Sequence, residues 1–81
     1  MKRCHGYAVE VYHWIFGRNE EEDPVDIVPH YFLEEDEAKK FFDGIEINAD
    51  FPQANLYECT LKMEYSRVWG TENDELIDQK Y

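Results

Sequence analysis

Positive charge is what the middle of this chain lacks. Between Asn19 and Asp50 only Lys39 and Lys40 are basic, against twelve carboxylates. Segments 1–18, 19–50 and 51–81 carry formal charges of +2, −10 and −3, which make up the −11 of the whole chain. A field of this kind repels a phosphate backbone, which excludes direct nucleic-acid binding, and it attracts basic surfaces, including those built to hold nucleic acid. Long apolar runs are missing too. No stretch approaches the ~20 apolar residues of a membrane span. The charged start Met1-Lys2-Arg3-Cys4-His5-Gly6 is not followed by the apolar run of a signal peptide. A cytoplasmic protein without membrane contact is expected.

Cysteine is scarce. Cys4 and Cys59 are too few for a disulfide framework. A bridge between them requires their strands to be neighbours, and a reducing compartment opposes it. There is no C-x-x-C or H-x-x-x-H spacing around His5, His13 or His30. The acidic stretches lack the glycine-containing pattern of a calcium loop. No Gly-rich phosphate loop or nucleophile elbow occurs either. Asp26 with Glu37-Ala38-Lys39 echoes a nuclease pattern, but the second part lies in a helical segment rather than on a strand. No catalytic residue, metal or cofactor is therefore expected, and the chain reads as non-enzymatic.

What is present is patterned for folding. Aromatic residues make up 16% of the chain, and each buried ring removes ~150–250 Å² from water. That offsets the small buried fraction of so short a chain, and one domain over 1–81 is expected. From Leu56 to Trp69 apolar residues alternate with polar ones, predicting a half-buried strand with Tyr57, Cys59, Leu61 and Met63 turned inward. Gly70–Asp74 then reads as a turn and Glu75–Lys80 as a returning edge strand. Tyr7–Phe16 is a second strand, rich in β-branched and aromatic residues. Val25–Phe32 is a third, confined to an edge or a bulge by Pro29. Gly17–Pro24 reads as a long acidic loop between these two.

Glu34 to about Ile47 is the predicted helix. Ala38, Phe41, Phe42 and Ile45 form its apolar stripe, and the carboxylates of its first turn complement the dipole. The resulting fold class is α+β: a small antiparallel sheet of about four strands, in ββαββ order, with one helix on one face.

Two surfaces stand out. Glu20, Glu21, Glu22, Asp23, Glu34, Glu35 and Asp36 form a carboxylate-rich set suited to docking on a basic surface of a partner protein. Tyr12, Trp14 and Phe16 form an aromatic row on the even face of the Tyr7–Phe16 strand. If the helix covers the odd face, that row is left open, and such a patch suits an interface, with a homodimer as the alternative role. In size, charge and strand–helix layout the chain resembles the small acidic proteins of phages and mobile elements that inhibit DNA-handling enzymes. The resemblance implies an inhibitor or nucleic-acid mimic.

Overall fold

A computed structural model of the chain describes residues 2–14 and 25–81. Its elements are β1 (Lys2–Trp14), β2 (Val25–Phe32), α1 (Glu35–Asp43), β3 (Gln53–Glu64) and β4 (Arg67–Lys80). These four strands form one antiparallel sheet in the order β2-β1-β3-β4, and α1 lies against one face. The molecule is thus α+β. β1 is a central strand whose middle is buried on both sides: Tyr7, Val9 and Val11 are buried on one face and Ala8 on the other.

The two edges are guarded in different ways. β2 carries Pro29 opposite Glu10. A proline has no N–H to give a ladder, and its place is an edge. β4 spends fourteen residues, Arg67–Lys80, on the eleven of Ala54–Glu64, with three register shifts along the way. Each surplus residue is a bulge that twists the edge away from further pairing.

Helix α1 ends about four residues before the periodicity suggests. Gly44 donates its N–H to the Lys40 carbonyl at 3.1 Å. Lys80, at the end of β4, then donates its Nζ to the carbonyls of Phe42, Asp43 and Ile45 at 2.7, 3.1 and 3.1 Å. An ammonium at the negative end of the helix dipole satisfies carbonyls that another helical turn would otherwise use.

The sheet has a core on each side. Toward the helix, Tyr7, Val9, Val11, Ala54 and Leu56 pack on Ala38 and Phe42. Away from it, Ala8, Cys59 and Leu61 are buried beneath Tyr31, Met63 and Val68. This corrects the expectation that the odd residues of β3 face the helix. Val9 lies opposite Leu56, and Gly6 opposite Cys59. Directly opposed residues share a face, so only the even positions of β3 meet α1. Gly6 makes room for the second core, since a Cβ there would lie 2.6 Å from Leu61 and 2.8 Å from the Phe32 carbonyl.

The end of the predicted Leu56–Trp69 strand is also corrected. Tyr65 and Ser66 adopt left-handed conformations, with φ of 52° and 63°, and close a two-residue hairpin. This geometry matches the twist of the flanking strands. It carries no Asn-Gly signal here, so the alternation runs through the turn unmarked. Residues 70–74 therefore belong to β4 instead of forming a turn. Both cysteines are free. Cys4 opposes Leu61 while Cys59 opposes Gly6, which makes the thiols diagonal neighbours. Such neighbours are ~7–8 Å apart, beyond the reach of an unstrained disulfide.

Candidate functional site

The helix side of the sheet gathers most of the acid. Of the carboxylates on described strands, Asp26, Glu58, Glu64, Glu72, Glu75 and Asp78 share this side by register, and only Glu10 and Asp74 lie on the other. Helix α1 adds Glu35, Asp36 and Glu37 in its first turn. Glu34 enters the helix in an extended conformation and makes no side-chain cap bond, so its carboxylate projects into solvent. Asp36 is likewise exposed. Glu20, Glu21, Glu22 and Asp23 lie outside the described residues.

Tyr7 joins the acid of the helix to that of the sheet. Its hydroxyl lies 3.2 Å from Glu35 Oε2 and 3.4 Å from Glu58 Oε2. One phenolic proton is thereby shared between two carboxylates. Burial, and then the two acids, push the Tyr7 phenol up to about 12. Lys39 donates to Glu35 Oε1 at 3.1 Å, and His5 Nε2 lies 3.2 Å from Glu58. The bond from Lys39, followed by that from Tyr7, holds the Glu35 carboxyl below its ordinary range. Beyond Glu58, the cross-strand partner is Glu75. Like charges directly opposed cost stability.

Sequence reasoning missed Glu58 and Glu75 as part of this surface. Their separation from Glu35 along the chain is bridged by strand register and the Tyr7 hydroxyl, neither of which leaves a periodic signal. Nearby, Arg3 pairs with Glu72 at 3.0 Å.

The opposite face is aromatic and nearly uncharged. Tyr12 and Trp14 lie there as expected, Tyr12 half-buried and Trp14 41% exposed. Phe16 lies outside the described residues. Beneath the tyrosines sits Asn55, 2% exposed. Its Nδ2 donates to the Tyr12 and Tyr57 hydroxyls at 3.4 and 3.3 Å, and its Oδ1 accepts from Gln53 and Gln79 at 3.1 and 2.9 Å. Two donor bonds and two acceptor bonds use the full capacity of the amide. Burial, followed by the adjacent Glu10, raises the Tyr57 phenol. Cys59 is pushed up to about 11, chiefly by burial, and so stays a thiol at neutral pH.

The histidines are separately engaged. His13 stacks on Phe51 and His30 lies against Phe41, with ring centroids 4.9 and 4.7 Å apart. Among the described residues no group of three or more His, Cys, Asp or Glu is placed to hold a metal ion. No described helix is long and apolar enough to cross a membrane. No protein-family model matches the chain, and no curated protein or solved structure shows significant similarity to it.

Proposed function

We propose that this protein is a non-enzymatic binding protein whose carboxylate-rich helix side docks on a basic surface of another protein, as an inhibitor that competes with nucleic acid for that surface. The observation that carries this reading is the segregation of charge by face. Glu35 and Glu58, from α1 and β3, converge on Tyr7, and Glu75 of β4 stands opposite Glu58, while the reverse face of the described strands stays almost neutral. A charge run that merely kept a helix solvated would not need partners from β3 and β4. Concentrated carboxylates spaced along a rigid surface present to Lys and Arg what a phosphate backbone presents. Glu34 and Asp36 extend the surface at the helix start, and the acidic run Glu20–Asp23 extends it in sequence.

The test is capture of partners from the source cell at low and high salt, with the wild-type chain and with a Glu34→Gln, Asp36→Asn, Glu75→Gln triple variant. The expected partner is basic. Its binding weakens steeply with salt and falls further with the neutralised chain. A partner retained equally at both salt concentrations, or indifferent to the neutralised residues, would overturn the reading.

A further inference from the structure

The second face of the sheet has no part in that reading, yet its construction is specific. Trp14, Ile27 and Leu76 are 41%, 48% and 52% exposed, and Tyr12, Tyr31 and Tyr57 between them are half-buried. Register places all six on the side away from the helix. Taking ~150–250 Å² for each large side chain, they expose on the order of 400–500 Å². That is within the ~300–600 Å² of the largest apolar patch on a typical monomer, which is often functional. It supplies about half of the ~800 Å² that each partner buries in a stable complex.

Three observations select the occupant. Both sheet edges refuse an added strand, one through Pro29 and the other through three register shifts, so association cannot continue the sheet. The one buried polar side chain on this face, and a threonine of β4, are already paired within the chain. Asn55 has its four bonds, and Thr71 donates to Asp74 at 3.1 Å. Apolar surface laid over the centre of the face would therefore not orphan the Asn55 amide.

Charge is the third. In a chain of −11, this face carries only Lys2, Glu10 and Asp74 on its strands, which gives a basic partner little to attract it. The surface that matches it is equally neutral and aromatic, and the chain itself supplies one. Packed back to back, two copies turn their acid sides outward. The two sheets lie ~10 Å apart, so the acid sides beyond them are separated by more than a Debye length at physiological salt.

We infer that the helix-free face of the sheet is the interface of a homodimer, in which two copies pack sheet on sheet through Trp14, Leu76 and the tyrosines around Asn55. The dimer does not depend on the role of the acid side. If both hold, it displays that acid surface twice, and a partner with two basic sites gains avidity.

Sedimentation equilibrium of the full chain, over a range of concentration and at low and high salt, tests this. The expected mass approaches twice the 9.8 kDa of one copy. Association should be as tight or tighter at high salt, because screening removes the repulsion of two acidic molecules. Trp14→Glu and Leu76→Glu, on different strands and both at exposed positions, should each weaken the dimer roughly thirty-fold or more while the melting transition of the monomer persists. Leu76→Gln, which adds no charge, should weaken it in the same direction. Glu37→Gln on the helix should leave the mass unchanged. A single-copy mass at every salt concentration would overturn the inference. So would a dimer that survives both Glu variants, or one that dissociates as salt is raised. The salt dependence runs opposite to that of acid-side docking, so failure of one reading is distinguishable from failure of the other.

Discussion

The two faces of the sheet solve the same burial problem with different means. On the helix side, Phe42 and Ala38 bring in a separate element, and five buried residues from β1 and β3 close around them. On the other side no element among the described residues covers the sheet. Ala8, Cys59 and Leu61 are buried only because Tyr31, Met63 and Val68 lean over them from neighbouring strands. The helix-covered core is closed by backbone geometry and the helix-free one by side chains alone. Acid collects beside the first, and the second borders an aromatic surface centred on a fully bonded amide, Asn55. The difference teaches that a face can be dry inside and still unfinished outside.

The comparison is broken most forcefully through the cores. Phe42→Ala should cost ~3–5 kcal/mol and Leu61→Ala ~2–5 kcal/mol. Leu61 should fall at the lower end, because the flexible Met63 beside it can move into the space. Denaturant melts of the two variants check this. A larger loss for Leu61 would mean that the helix-free core is the more tightly closed of the two.

A smaller effect is expected at Asn55. Asn55→Leu fills a similar volume but removes the partners of Tyr12, Tyr57, Gln53 and Gln79. Destabilisation of ~1–3 kcal/mol follows if those groups stay buried and unpaired. Thermal melting reads the loss. A variant as stable as wild type would show that the tyrosines and glutamines simply turn to water, and the face would lose its claim to be preorganised.

The mildest change sharpens the acid side. Tyr7→Phe removes the hydroxyl shared by Glu35 and Glu58. The folded phenol ionises near 12 and an ordinary one near 10. The folded state therefore holds that proton more tightly. The stabilisation is complete below pH 10 and disappears as pH rises toward 12. Wild type and variant should differ in denaturation midpoint at neutral pH and converge across that alkaline window. Phenolate absorbance should lose its late-titrating component in the variant. On the acid side the sign reverses: the lowered Glu35 carboxyl contributes above its ordinary range, and that contribution is lost as pH falls through the folded value.

Much of the fold was legible along the chain. The β-branched and aromatic run of β1, the edge position of Pro29 and the apolar stripe Ala38–Phe41–Phe42 are local signals, since each depends on spacing within one element. Of the candidate surfaces, Tyr12 and Trp14 lie on the open face as their parity implies, and Glu34 and Asp36 are exposed at the helix start. The side of β3 that meets the helix was not legible. Its even residues, Ala54 and Leu56, are apolar only at the start of the strand, while the longer odd series faces away. Nor was the hairpin at Tyr65-Ser66, whose left-handed residues are neither glycine nor asparagine.

By itself, the sequence determined which segments extend and which coils, that charge is concentrated in 19–50, and that two cysteines and unclustered histidines build no framework. Those properties rest on residue type and on periods of two or 3.6, which act within a few neighbours. Only the tertiary structure decided that Lys80 caps α1 from the far end of the chain, that Asn55 binds three strands together, and that Glu35, Glu58 and Glu75 form one surface. Each of these depends on which residues the register sets opposite one another. A slip of a single residue in that register would move every side chain of a strand to the other face.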